Sequence, residues 1–409
     1  MSRHSPILTI FLSFSTIVLV ISLVAHSQLS FEAAVRGLKI WWEVVFPSTL
    51  PFIVLSEILM GLGVVHFVGV LLEPLMRPLF NVPGTGGFVL AMGFSSGYPV
   101  AAKLTIRLRE QRNVTKEEGE RLVSFATTGD PLFVMGAVAI GFFHSQQIGV
   151  VLAATHYLSA ILLGMLCRFH APHAVISKPL ERTDKPLPLR ALEAMHQARL
   201  RDGRPFGKLM GDAVQSALNT LFMIGGFIIV FSVMIQLFSA IHLTAFFGDV
   251  LSILLGPFGF PPAFAHAIVA GLFEVTLGAQ GASETADSVP LVWKAAIASA
   301  ILSWGGLSVH AQVASILSTT DIRVAPYLVA RLMHAVLSAC LTFVLWRPLT
   351  ESAWLRGKDV PVFLPEASFI SVSHWWDAFL VSAGVTLAGT ALLLACSLLI
   401  RWLRAHKPH

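Results

Sequence analysis

The sequence predicts an all-α, polytopic membrane protein, and three observations carry that prediction: an apolar composition, apolar runs long enough to cross a bilayer, and polar breaks inside those runs. Of the 409 residues, 55% are hydrophobic and 12% are charged, and the mean hydropathy is +0.75. Soluble domains carry roughly twice that charged fraction, about 25%. Runs over residues 7–25, 46–72, 214–240, 325–346 and 378–400 reach the roughly 18–20 residues that span a hydrocarbon core. Lipid is therefore the expected solvent. The formal charge of +5 and pI near 9.3 come from Lys and Arg in the short polar segments between apolar runs. That is the pattern of a topology signal, and it argues against a nucleic-acid partner. Cys167, Cys340 and Cys396 fall in or beside apolar stretches without paired spacing, so they read as core fillers, not as a disulfide or metal framework.

Residues 1–30 read as a retained signal anchor, because the apolar run exceeds a usual signal core and His26-Ser27-Gln28 lacks a small-residue cleavage pattern. Residues 31–45 form an amphipathic stretch with Arg36 and Lys39 on one side and Trp41-Trp42 on the other, suited to the membrane surface. The run over 46–72 carries Pro47, Pro51 and Glu57. The apolar stretch over 83–108 is interrupted by Gly93, Ser95, Ser96, Gly97 and Pro99, which predict a broken helix. A charged stretch over 103–121 follows, ending in Thr115-Lys116-Glu117-Glu118, the signature of a capping box at a helix start. A second interrupted segment carries Thr127-Thr128-Gly129-Asp130-Pro131, and residues 147–168 make a further span. Residues 169–208, rich in Pro, Arg and His, read as a cytoplasmic linker.

The second half repeats this plan. One shift lays Pro83 on Pro261 and Gly93 on Gly271, and nearly the same shift lays Gly129 on Gly305. Paired, interrupted segments at corresponding positions point to a transporter's central site. Residues 348–376 lead to a last apolar helix, followed by Arg401, Arg404 and Lys407.

Four constellations are candidates for a substrate or ion site. In Gly93-Phe94-Ser95-Ser96-Gly97-Tyr98-Pro99, followed by Lys103, hydroxyls and freed backbone groups sit where lipid satisfies none, although the glycines also suit close helix packing. Thr127, Thr128 and Asp130 form the second, with helix capping as the alternative role for the aspartate. The third is Glu274 between Gly271 and Gly278, with Thr276 and Gln280. A carboxylate there must be protonated, hydrated or paired with a cation, and Arg331 or His310 are the structural partners in reach of the sequence reading. The fourth is Gly305-Gly306 with Ser308, His310 and Gln312, where unwinding exposes amides that attract an anion. The sequence contains no phosphate-binding loop, zinc His-Glu-x-x-His pair, serine elbow or Cys-x-x-Cys. No enzymatic activity, metal or organic cofactor is expected. A coupling cation, H+ or Na+, is the one small partner the buried acids suggest.

The run from Phe46-Pro47-Ser48 to Pro51-Phe52 and the breaks at Gly93 to Pro99 and Thr127 to Pro131, with Gly271 to Gly278 and Gly305 to Gln312, together resemble the sporulation integral membrane protein YlbJ family, also called SpoVV. That family carries nucleoside-recognition (Gate) domains and is similar to concentrative nucleoside transporters. The resemblance implies a first Gate-like repeat over 31–168 and a second over 209–347, inverted with respect to each other, and a C-terminal segment over 348–409. It further implies a carrier of dipicolinic acid in the outer forespore membrane. The chain departs from the expected break in carrying Gly129-Asp130-Pro131. Competing readings are a nucleoside carrier and a non-transporting scaffold acting through residues 169–208. An intramembrane enzyme would need Asp130 and Glu274 paired. A homo-oligomer is compatible with all of them.

Overall fold

The computed structural model describes residues 6–177, 186–259 and 261–351, so the apolar run over 378–400 and Cys396 lie outside the described residues. Every regular element among them is helical. The chain opens with α1 (Pro6–Ala25), whose apolar side chains, Phe14 and Val24 among them, are exposed to the lipid side. At His26 the path turns by 98° into α2 (Ser27–Ile40). The buried stripe of α2 is made of small residues, Ser30, Ala33 and Gly37, which let it lie close along α10 (Phe206–Ala240). Ser232 donates to the Ala33 carbonyl at 2.8 Å and the Trp41 indole donates to the Leu221 carbonyl at 2.9 Å. The amphipathic stretch is thus fastened to a long span, with Trp41 buried and Trp42 exposed.

A π-helical turn, Trp41–Val45, leads with helical backbone throughout into α3 (Phe46–Gly61), where Pro47, which has no N–H to donate, follows the wider turn. The left-handed Gly63 starts α4 (Val64–Leu75), bent 78° from α3, and a second π-turn, Met76–Phe80, ends at left-handed Asn81. Residues 169–208, read as a linker, contain a helix, α9 (Leu187–Asp202), which packs on α4 and ties to it through Arg190 and Glu73 at 2.8 Å. Its Leu, Ala, Glu and Arg residues favour helix, Pro188 sits in the first turn, and Gly203 in the left-handed region ends it.

The two halves then run through the same sequence of elements. In the first, α5 (Gly86–Ser96) and α6 (Tyr98–Glu110) form a hairpin; α7 (Lys116–Ala126) and the π-helix Phe133–Phe142 form a broken segment; α8 (Gln146–Cys167) is a full-length span. After α10 and α11 (Leu243–Leu255), the second half gives the hairpin α12 (Ala265–Phe273) and α13 (Val275–Ser283), the broken segment α14 (Leu291–Trp304) and α15 (Gly306–Leu317), and the span α16 (Val324–Thr350). The halves interlock crosswise: α6 packs on α15, α13 packs on the π-helix, and α16 packs on α7, α8 and α14. Among the described residues, four segments are long and apolar enough to cross a membrane, Gln146–Cys167, Phe206–Ala240, Leu291–Leu317 and Val324–Thr350, or up to six if each of the two bent pairs, α1 with α2 and α3 with α4, counts as one span.

Between α8, α14 and α16 the core is built from small residues such as Ala295, Ala298 and Ser299, so the helices approach closely. Thr155, Ser299 and Ser338 bond in series across the three helices at that level. Cys340, expected in the core, is instead on the exposed side of α16, and Cys167 is half-buried.

Candidate functional site

The four breaks meet at one place. The first is Gly97, with φ 85° and ψ −177°, a conformation essentially confined to glycine. The second is residues 127–130, where the chain leaves the helix at extended Thr127 and has no regular structure. Glu274, extended at φ −144°, separates α12 from α13, and left-handed Gly305 and Gly306 separate α14 from α15. Gly97 faces Asp130, with room of only 3.3 Å between a side chain at position 97 and the Asp130 Oδ2. Gly306 abuts the Phe273 carbonyl and the backbone of Glu274 in the same manner. Tyr98 joins the two pairs: its hydroxyl donates to the Leu302 carbonyl at 2.7 Å and lies against Gly129, while its ring contacts Gly305. Further ties are Thr128 to the Gly93 carbonyl at 3.3 Å and the Trp304 indole to the Leu272 carbonyl at 3.2 Å.

Both acids, half-buried Asp130 and buried Glu274, serve as helix caps. Asp130 Oδ1 accepts from the Leu132 and Phe133 amides at 3.1 and 2.9 Å, and Glu274 accepts from the Leu277 amide at 2.9 Å and from the Thr276 hydroxyl at 3.3 Å. Each closes the positive end of the half-helix that follows it. The starts of α6 and α15 have no such side-chain cap, although Asp130 Oδ2 lies beside the former. Neither Arg331 nor His310 bonds to Glu274.

Arg331, fully buried on α16, donates to the Thr127 carbonyl, to the Ser124 carbonyl at 2.5 Å and to the Ser303 carbonyl at 3.5 Å. These carbonyls lie at the C-terminal ends of α7 and α14, where helices leave acceptors unpaired and carry partial negative charge. His156 on α8 completes the clamp. Its Nε2 accepts from the Gly129 amide at 3.1 Å, which puts the ring proton on Nδ1, the atom that donates to the Ser303 hydroxyl at 3.0 Å. Tyr157 donates to the Gly129 carbonyl at 2.9 Å, and His334 donates to the His156 carbonyl at 3.0 Å.

Of the residues singled out in the sequence, Gly97, Tyr98, Thr127, Thr128, Asp130, Glu274, Thr276, Gly305 and Gly306 are gathered here. Ser308 is buried in the first turn of α15, and His310 follows it, with Nδ1 3.2 Å from the Tyr327 hydroxyl and Nε2 buried without a partner among the described residues. Ser95 and Ser96 approach each other at 3.4 Å at the end of α5, and Ser95 also bonds the Met92 carbonyl and borders an apolar cavity of about 500 Å³. Lys103 lies well along α6 from Gly97 and is exposed. Gln280 bonds to Glu284 and borders a different, polar cleft that also holds Arg36 and Lys39; Gln312 bonds to the Ser308 carbonyl. Sequence reasoning missed His156, Tyr157 and His334. A usable signal existed on α16, where Tyr327, Arg331, His334, Ser338 and Thr342 recur every third or fourth residue and make one polar stripe on an otherwise apolar span.

A nucleoside-recognition (Gate) family model matches residues 42–172. The chain is 48% identical over 358 residues to the sporulation integral membrane protein YlbJ of Bacillus subtilis (strain 168), covering 86% of this chain and 85% of that protein. Among solved structures it is similar to CNTnw in an inward-facing substrate-bound state, with a TM-score of 0.47, 14% identity, and coverage of 85% of this chain and 88% of the other. It is also similar to an outward-facing CNTnw variant, with a TM-score of 0.47, 16% identity, and coverage of 83% and 88%.

Proposed function

The chain belongs to the sporulation integral membrane protein YlbJ family, a family of membrane proteins and not of enzymes, and from that premise we propose that it is a carrier of a small organic anion, with dipicolinic acid the first candidate. The observation that carries the reading is the meeting of four backbone breaks at one place, since irregular backbone at membrane depth is tolerated only where protein buries it or it lines a cavity, and transporters set paired broken helices at their substrate site. Two of the half-helices that start there are closed by their own carboxylates. The other two, α6 and α15, offer amide ends without side-chain caps, and α15 adds Ser308 and the unpartnered Nε2 of His310. A planar dicarboxylate presents one acidic group to each. A cation, H+ or Na+, taken up beside Asp130 and Glu274 would offset their charge and couple its own gradient to transport. On this reading the protein works in the outer forespore membrane.

Purified full-length protein in liposomes should accumulate labelled dipicolinate, and Glu274→Gln should reduce uptake by at least about tenfold, the loss of one charge-dependent contact. Uptake that Glu274→Gln leaves unchanged would remove Glu274 from the site. The Gate match favours a second reading in which the substrate is a nucleoside. Uptake of uridine in place of dipicolinate by the same liposomes would establish it.

A further inference from the structure

Away from the meeting of the breaks, a cavity of about 400 Å³ opens between α7, the end of α8 and the start of α16. Among the described residues its polar lining is Arg121, Ser124, His170 and Arg323, with no acidic side chain among them. His170 and Arg323 are already engaged, both with Glu120, at 2.8 and 2.7 Å. Arg121 is different. Its side chain is 1% exposed, and Nη1 donates to the His170 carbonyl at 2.8 Å, but Nε and Nη2 have no partner among the described residues. Those two atoms form one edge of the guanidinium, a pair of parallel donors whose spacing matches two oxygens of a phosphate. A buried charged edge left without acceptors is rare in a folded protein and calls for an occupant.

The opposite wall of the cavity is apolar. Leu166, Val329 and Met333 line it, and all three are also exposed on the outer face of the molecule, so the cavity is continuous with the surface that meets lipid. The spans α8 and α16 respectively end and begin beside it, at Cys167 and Val324, which puts it at the level where helices leave the hydrocarbon. Basic pockets between spans at that level suit anionic headgroups.

We propose that this cavity binds the phosphate of an anionic phospholipid, with the free edge of Arg121 on the phosphate oxygens and an acyl chain along Val329 and Met333. The site is independent of the carrier reading. It is tested by native mass spectrometry of the full-length protein in mild detergent, with phosphatidylglycerol, phosphatidylcholine or inorganic phosphate added.

The wild type should retain phosphatidylglycerol about tenfold better than phosphatidylcholine, as one bidentate charge-assisted contact implies. Arg121→Gln should lose that preference. Val329→Trp fills the outer wall without touching the core, so it should also lower retention while the helical circular-dichroism signal stays unchanged, which separates a blocked site from a misfolded variant. Equal retention of the two lipids by the wild type would overturn the proposal, as would unchanged retention in both variants. Displacement of phosphatidylglycerol by inorganic phosphate, with phosphate held equally by Val329→Trp, would assign the cavity to a free anion and overturn the lipid assignment.

Discussion

Arg331 has no carboxylate opposite it among the described residues, and its partners are instead three backbone carbonyls at two helix ends. Removing the guanidinium leaves those acceptors buried and unmet, at about 1–3 kcal/mol each. Arg331→Met should therefore lower the unfolding midpoint in detergent far more than Arg323→Met at the exposed rim. Arg331→Lys should fall between wild type and Arg331→Met, because an ammonium cannot span both helix ends. The ion pair of Arg109 with Asp321, at 2.8 Å, is of another kind. The hydrogen bond from Arg109 holds the Asp321 carboxyl below the usual carboxylate range. Its stabilisation is present above about pH 4 and is lost as pH falls through the lowered value. Asp321→Asn should accordingly match wild type in acid and differ from it slightly near pH 7, with the difference shrinking in high salt. Asp130 and Glu274 were legible in the sequence because a carboxylate in an apolar run needs a reason. Arg331 was less so: the sequence reading considered it only as a partner for Glu274, and its real partners, main-chain carbonyls freed by breaks elsewhere, leave no mark in residue identity.

At the scale of elements, the breaks at Gly97, at residues 127–131 and at Gly305-Gly306 fall where glycine, proline and polar residues interrupt apolar runs, and so they were readable. The bend at His26 and the three π-helical stretches among the described residues were not read from the sequence. Helix α9 was hidden by the Pro and Arg content of the segment around it. Gly97 tests the importance of a break directly. Alanine there is forced into a glycine-only conformation at about 1–3 kcal/mol, and its methyl group crowds Asp130. Gly97→Ala should lower the unfolding midpoint and abolish uptake. Gly226→Ala, in the middle of α10 with open space around it, should leave both intact or raise stability by up to about 1 kcal/mol.

The whole molecule has two unlike poles. One gathers Arg109, Arg121, Arg168 and Arg323, and the loop between α6 and α7 lies there with Arg112 and Lys116. The loop between α13 and α14, which matches it in the second half, carries Glu284 and Asp287. By the tendency of Lys and Arg to remain on the cytoplasmic side, the matching loops belong on opposite sides of the membrane, as inverted repeats require. With the native cysteines replaced, a cysteine at Asn113 should be labelled only from the cytoplasmic side and one at Asp287 only from the other. Labelling of both from one side would refute inversion.

Within this frame the attachments are uneven. Arg331 and His156 bind the ends of α7 and α14 to each other and to the long spans, whereas the hairpin tips are held by a few single hydrogen bonds, such as those from Tyr98, Thr128 and Trp304. Each hairpin tip rests on the break of its own half, Gly97 on Asp130 and Gly306 on Glu274, and Tyr98 reaches across from the first hairpin to Leu302 and Gly305. On the carrier reading, Tyr98 is the contact through which a movement of the first hairpin reaches the break of the second half.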